Sequence, residues 1–149
     1  MLKTTTVRDW MTSPALTVSP SWSVRSAYDL MKELGIRHLP VVDKDKLVGI
    51  LTLSDIREAQ PSDATTLSAW ELNYLWEKLT VERVMTSPVV TVRADERVVD
   101  AVQIMLNRKF SGLPVVDAGD HLVGFLSQID IYRMVAAAER AEVLPWHNS

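Results

Sequence analysis

The sequence predicts a mixed α/β fold built from two β-α-β-β-α repeats in tandem. The first observation behind this is an internal duplication: Val7-Arg-Asp-Trp-Met-Thr-Ser-Pro-Ala-Leu-Thr-Val18 returns 74 residues later as Val81-Glu-Arg-Val-Met-Thr-Ser-Pro-Val-Val-Thr-Val92. Leu39-Pro-Val-Val-Asp43 matches Leu113-Pro-Val-Val-Asp117 at the same offset, and Leu47-Val-Gly-Ile-Leu51 matches Leu122-Val-Gly-Phe-Leu126 at an offset of 75. The second is that helical and strand patterns alternate in the same order in both copies. The third is size. At 149 residues the chain holds one ordinary domain or two small halves, and a half of about 60 residues buries too little surface to stand comfortably alone. Two such halves are expected to press their sheets together about a pseudo-twofold axis, which creates two equivalent clefts.

Each element has its own reason. Thr17-Val18 is a short extended piece after Ser13-Pro14, because a residue before proline is pushed out of the helical region. Val24, Ala27, Met31 and Leu34 follow at helical steps, with Gly35 as the stop. In the second copy Asp95 is the expected cap of a helix carrying Val98, Ala101, Val102 and Met105. Leu39–Val42 and Leu47–Leu53 are apolar runs around a polar turn, hence a buried hairpin. The one-residue slip in offset falls between Asp43 and Leu47, where an insertion is tolerated in a turn and penalised in a strand. Thr52 or Ser127 opens a second helix, long in the second copy (roughly 128–142).

The predicted organisation is a first repeat over 1–60, a helical connector over 61–80, a second repeat over 81–142 and a tail over 143–149. The connector opens with the loop Gln60-Pro61-Ser62-Asp63. Ser68-Ala-Trp-Glu71 is a capping box between the staple residues Leu67 and Leu72. Leu72, Leu75, Trp76 and Leu79 make one stripe of the ensuing helix, and Trp70 with Tyr74 an adjoining one. That aromatic face either packs within the chain or lines a subunit interface.

Composition excludes several classes. With 47% apolar and 23% charged residues the chain is that of a soluble globular protein. Its longest apolar runs are four or five residues, so nothing spans a bilayer and no signal-peptide core follows Met1, and a cytoplasmic location is expected. Sixteen basic against nineteen acidic residues, scattered in sign, leave no basic block for nucleic acid. There is no Cys, and the three His, at 38, 121 and 147, form no ligand pattern, so no metal site and no catalytic residues are expected. Gly-x-Ser-x-Gly and Walker loops are missing.

Gly49-Ile-Leu-Thr52-Leu-Ser-Asp55 and Gly124-Phe-Leu-Ser127-Gln-Ile-Asp130 share the form Gly-apolar-apolar-Thr/Ser-x-x-Asp. Structurally, Thr/Ser-x-x-Asp is a capping-box variant. Functionally, a helix start suits a phosphate, the hydroxyl can donate to it, and a carboxylate one turn on can accept both hydroxyls of a ribose. The glycine would leave room for a flat base or sugar.

Taken together, Met-Thr-Ser-Pro-x-x-Thr-Val, Leu-Pro-Val-Val-Asp and Gly-apolar-apolar-Thr/Ser-x-x-Asp, each twice and in order from Val7 to about Ala138, resemble the cystathionine-β-synthase (CBS) domain pair, or Bateman module. Leu67-Ser-Ala-Trp-Glu-Leu-Asn-Tyr-Leu75 is similar to the connector of stand-alone CBS proteins of the acetoin-utilisation type. The resemblance implies a regulatory, non-catalytic module that needs no cofactor and binds an adenosine ligand (AMP, ADP, ATP or S-adenosylmethionine) in its clefts. It implies that Asp55 and Asp130 hold the ribose diol, that Thr52 and Ser127 meet phosphate, and that backbone around Thr17-Val18 and Thr91-Val92 reads the adenine edge. Arg37 and His38 would reach the phosphates of the facing cleft. Ser111 and Gly112 replace that pair in the second repeat, so the two clefts should differ. A homodimer signalling to a partner protein in trans is expected, and the alternative is a ligand-independent dimerisation or scaffold module.

Overall fold

The computed structural model describes residues 2–60 and 66–141. The expected loop residues Pro61-Ser62-Asp63, the end of the last helix at Glu142 and the tail with His147 lie outside them. The elements in chain order begin with α1 (Val7–Trp10), α2 (Val24–Leu34), β1 (His38–Asp43), β2 (Lys46–Thr52), α3 (Leu53–Ala59) and α4 (Ala69–Lys78). There follow α5 (Val81–Val84), β3 (Val92–Arg93), α6 (Val98–Arg108), β4 (Gly112–Val116), β5 (Leu122–Ser127) and α7 (Gln128–Ala141).

The chain divides into two compact units, Leu16–Val89 and Met1–Ala15 with Val90–Ser149. Sequence repeat and compact unit are therefore different divisions of the chain. The start of each repeat is built into the unit that holds the body of the other. Val7 donates its N–H to Glu96 O at 2.9 Å and Arg8 to Ala94 O at 2.9 Å, while Val81 donates to Trp22 O at 2.8 Å and Glu82 to Pro20 O at 3.0 Å. Val7 and Val81 are both fully buried, each in the core of its unit. Two four-residue helices, α1 and α5, carry these contacts, and they are too short to leave a periodic signal.

In the Leu16–Val89 unit, β1 and β2 form an antiparallel hairpin, His38 opposite Thr52. Its two turn residues Lys44 and Asp45 have φ of 50° and 66°, the left-handed pair that matches strand twist in a two-residue connection. Val18 bridges Val41 in parallel, so the expected extended piece is present as a single bridge. α2 is capped by Ser23, which accepts from Ser26 N at 3.0 Å, and stops at Gly35 with φ 65°. The core is Val18, Val24, Ala27, Met31, Leu39, Val41, Leu51, Ile56 and Val81.

The other unit repeats this plan with β3 parallel to β4 and β4 antiparallel to β5. Val92, Val98, Ala101, Met105, Leu113, Val115, Leu126 and Val7 fill the matching core positions. Each of the valine, leucine and methionine side chains contributes about 1.5–3 kcal/mol. The extra residue between the hairpin strands falls in the turn, where Asp117 Oδ1 accepts from Gly119 N at 2.9 Å and His121 N at 3.0 Å. Asp95 does not cap α6. The cap is Arg97, and Asp95 instead accepts from the Arg93 guanidinium at 3.2 Å. The start of α6 is set by the segment from the other repeat: Val98 N donates to Thr5 O at 2.9 Å, as Val24 N donates to Leu79 O at 2.8 Å in α2.

In the connector, Ser68 accepts from Glu71 N at 3.1 Å, and its hydroxyl donates to the Glu71 carboxylate at 3.0 Å. Trp76 and Leu79 pack onto the core, whereas Trp70, Tyr74 and Leu75 are exposed. Leu75 thus leaves the predicted stripe.

Candidate functional site

The sharp bend from β2 into α3 puts Thr52 at the helix start and brings Asp55 back onto it. Asp55 N donates to Thr52 Oγ1 at 3.1 Å, and Thr52 N donates to Asp55 Oδ2 at 3.0 Å. The same bend after β5 brings Ser127 N to Asp130 Oδ2 at 2.8 Å and the Ser127 hydroxyl to that oxygen at 3.1 Å. Both capping boxes read from the sequence are present.

A second pair of residues meets these carboxylates. Thr86 Oγ1 donates to Asp55 Oδ1 at 3.1 Å, and Thr12 Oγ1 donates to Asp130 Oδ1 at 3.1 Å. Thr12 and Thr86 belong to the two Met-Thr-Ser-Pro motifs, each delivered by the opposite repeat. Their backbones are fixed by reciprocal bonds: Thr86 with Ile50 at 2.8 and 3.0 Å, Thr12 with Phe125 at 2.8 and 2.9 Å. Sequence reasoning gave these threonines no role. Their exact repetition beside a duplicated carboxylate was the available signal.

The same segments occupy the space beside the motif glycines. A Cβ on Gly124 would lie 2.8 Å from both Met11 Sδ and Thr12 O, and one on Gly49 would meet Met85 Sδ and lie 3.2 Å from Thr86 O. The glycines make room for methionine and backbone of the Met-Thr-Ser-Pro segment, not for a base or sugar as expected.

The fold brings Arg37 and His38 beside the start of α3, with His38 opposite Thr52, and places Val18 next to β1. The Arg37 carbonyl accepts from Leu53 N at 3.0 Å, which fixes this exposed residue beside the start of α3, and Ser111 O does the same for Gln128 N at 3.0 Å. His38 is half-buried at the head of β1, and its pKa is lowered to about 4, first by burial and then by the Arg37 charge. Val18 N donates to Pro40 O at 3.1 Å and Val18 O accepts from Val42 N at 2.9 Å, so both its backbone groups serve the sheet. The exposed Thr17 makes no hydrogen bond among the described residues. In the other unit Thr91 is half-buried and Val92 is paired with Val115 in β3.

The two carboxylates differ in setting. Asp130 is 3% exposed and has the Arg133 guanidinium 3.5 Å away, whereas Asp55 is half-buried and has Glu58 at the position of Arg133. Each carboxylate oxygen has about two acceptor positions. Oδ1 of Asp55 receives one donor and Oδ2 one, which leaves capacity on both for further donors. Among the described residues no three His, Asp or Glu cluster as metal ligands do, and no helix is long and apolar enough to cross a membrane.

The family model of the CBS domain matches residues 7–62 and 81–137. The chain belongs to the CBS domain family. As a CBS pair it is similar to the pair of protein MJ0100 solved with 5′-methylthioadenosine and S-adenosyl-L-methionine, at 33% identity, TM-score 0.72, and 88% of this chain against 99% of that one. It is similar to the Arabidopsis thaliana CBS-pair protein CBSX2, solved in complex with AMP, at 32% identity, TM-score 0.75, and 91% against 98%. A further similarity is to an acetoin utilization protein of Vibrio cholerae, at 27% identity, TM-score 0.77, and 93% against 96%. Among curated proteins, an uncharacterized protein of Methanocaldococcus jannaschii is 33% identical over 85% of this chain and 43% of its own length. An L-aspartate semialdehyde sulfurtransferase of that organism is 35% identical over 87% and 23%. The CBS pair spans less than half the length of the curated relatives it matches.

Proposed function

We propose that this CBS pair is a regulatory module that binds an adenosine ligand (AMP, ADP, ATP or S-adenosylmethionine) and signals its presence to a partner protein, without catalysis. The reading rests on the duplicated helix-start carboxylate: Asp55 keeps an acceptor position on each oxygen after closing its capping box, and at Asp130 a ligand hydroxyl would take the place of Thr12 or Arg133 on Oδ1. A ribose diol offers the two hydroxyl donors such a carboxylate can take. Asp55 and Asp130 would hold the sugar, Thr52 and Ser127 the phosphate. Arg37 and His38 would add phosphate donors in the first set, and Thr17-Val18 and Thr91-Val92 would face the base. Because Val18 has both backbone groups in the sheet, Thr17 is the better candidate to read the adenine edge. Two similar CBS pairs, at 33% and 32% identity, were solved with adenosine-containing ligands, which supports the same ligand class here.

For the module to signal, its ligand must bind one arrangement of the chain more tightly than another. The deciding experiment is thermal unfolding with AMP, ADP, ATP, S-adenosylmethionine and GTP. A ligand at about 100 times its Kd stabilises by about 2.7 kcal/mol, which is several degrees here. Shifts with adenine compounds alone, lost when Asp55→Ala and Asp130→Ala are combined, are the expected result. No shift with any compound at millimolar dose would replace this reading with the ligand-independent scaffold.

A further inference from the structure

The two helix-start carboxylates stand in repeats of one design, yet their hydrogen-bonding capacity is spent to different extents. Asp130 accepts from four donors. The Ser127 N–H and hydroxyl reach Oδ2 at 2.8 and 3.1 Å, and the Thr12 hydroxyl and Arg133 guanidinium reach Oδ1 at 3.1 and 3.5 Å. Two acceptor positions per oxygen make four in all, so this carboxylate is full, and it is only 3% exposed. Asp55 accepts from two donors, the Thr52 N–H and the Thr86 hydroxyl, and keeps one position on each oxygen.

The hydroxyls at the helix starts differ in the same sense. Ser127 directs its one hydroxyl hydrogen at Asp130, at 3.1 Å. Thr52 Oγ1 accepts from Asp55 N at 3.1 Å, and its hydrogen is uncommitted among the described residues. The repeats also differ one turn further along the helix. Arg133 stands where the first repeat has Glu58, an exposed carboxylate that has no proton to give Asp55. Beside the start of α3, the exposed Arg37 makes no ion pair among the described residues, and Ser111 in its place carries no charge.

We propose that Arg133, Thr12 and Ser127 close the Asp130 site from within, so that each chain takes a single adenosine ligand, at Asp55. This rests on the nucleotide reading above and narrows it to one of the two sites. At Asp55 a ligand diol adds two hydrogen bonds in open positions. At Asp130 it only exchanges with donors already in place. A phosphate there meets no spare hydroxyl hydrogen, and the guanidinium of Arg133 is engaged by Asp130. The Arg133 contact alone is an ion pair whose cation is 68% exposed, so closure comes from the filled set and not from the arginine by itself. A hydrogen bond to a charged group is worth roughly 10-fold or more in a binding constant, so two of them should separate the sites by roughly 100-fold.

Calorimetric titration of the full chain with AMP and with S-adenosylmethionine tests this. The wild type should bind one ligand per chain, and Asp55→Ala should weaken binding by roughly 100-fold. On the Asp55→Ala background, Ser127→Thr with Arg133→Glu gives the second repeat the residues of the first and should restore roughly 10-fold. Arg133→Ala alone should restore about 3-fold, and it serves if circular dichroism shows that the double exchange misfolds. The reverse exchange, Thr52→Ser with Glu58→Arg, should weaken binding at Asp55 by roughly 10-fold. Two ligands of similar affinity in the wild type, binding that survives Asp55→Ala, or no response to either exchange would overturn the proposal and leave the nucleotide reading standing. A wild type that binds neither compound at millimolar concentration would overturn both.

Discussion

Replacing Asp130 by alanine should lower stability more than the same change at Asp55, although the two occupy equivalent places. Asp130 is 3% exposed and accepts from Ser127 N, the Ser127 hydroxyl and the Thr12 hydroxyl at 2.8–3.1 Å. Deleting the carboxylate removes a helix-start acceptor, worth about 1 kcal/mol. It also leaves the Ser127 N–H without its acceptor beside a carboxylate position that is 3% exposed, at about 1–3 kcal/mol, while the exposed Thr12 hydroxyl can turn to water as Thr86 does. The sum is about 3 kcal/mol, or roughly 6–12 °C for a chain of this size. Asp55 is half-buried, so water can replace it on Thr52 N and on the exposed Thr86 hydroxyl. Asp55→Ala should therefore cost only the cap, about 1 kcal/mol or roughly 2–4 °C. Ligand-free melts by circular dichroism read the difference, and Asp130→Asn, which keeps one acceptor oxygen, should recover part of the loss. Equal losses, or a larger one at Asp55, would refute the argument that burial sets the cost.

Two further outcomes follow from the geometry. Gly124→Ala should destabilise by about 1–3 kcal/mol, because its new Cβ would fall 2.8 Å from the Thr12 carbonyl, which is held by Phe125 N at 2.9 Å and cannot withdraw. Gly35→Ala, with nothing within 4 Å of its Cβ, should cost only the left-handed backbone, about 1 kcal/mol, and chemical denaturation midpoints should rank the two. His38, with its pKa lowered to about 4 from 6.5, gives a pH dependence. Between those values the unfolded chain binds a proton that the folded one does not. Stability is then full above the higher value and falls by on the order of 2–3 kcal/mol as pH drops through the window. His38→Gln should flatten that part of a urea-unfolding series, and an unchanged slope would reassign it to another group.

The repeats, the hairpins, the stop at Gly35 and both Thr/Ser-x-x-Asp capping boxes were legible because each is a local pattern with a local cause. The start of α6 was not, since Asp95 looks like a cap and the helix is instead positioned by Thr5, a residue 93 positions away in sequence from Val98. The end of α6 carries no glycine. Lys109 takes the left-handed conformation, φ 59°, that Gly35 takes in the other copy. The role of the motif glycines was misread for the same reason as the role of the Met-Thr-Ser-Pro motif. A duplication shows that two segments are alike, but it cannot show which copy of the fold each one joins.

That exchange of segments changes what the carboxylates do. In each unit the Asp comes from one repeat and the Thr that donates to it comes from the other, so neither repeat contains a complete set. A donor that competes with Thr86 for Asp55 Oδ1, or with Thr12 for Asp130 Oδ1, therefore acts on the anchorage of a segment whose continuation forms the body of the other unit. The same oxygen that could accept a ligand hydroxyl also helps hold the chain crossing in place. Coupling between a filled site and the rest of the molecule needs no separate relay under this arrangement. It requires only that the Asp–Thr bond and the Asp–ligand bond have different strengths, and that the Met11 and Met85 side chains seated on Gly124 and Gly49 move with their threonines.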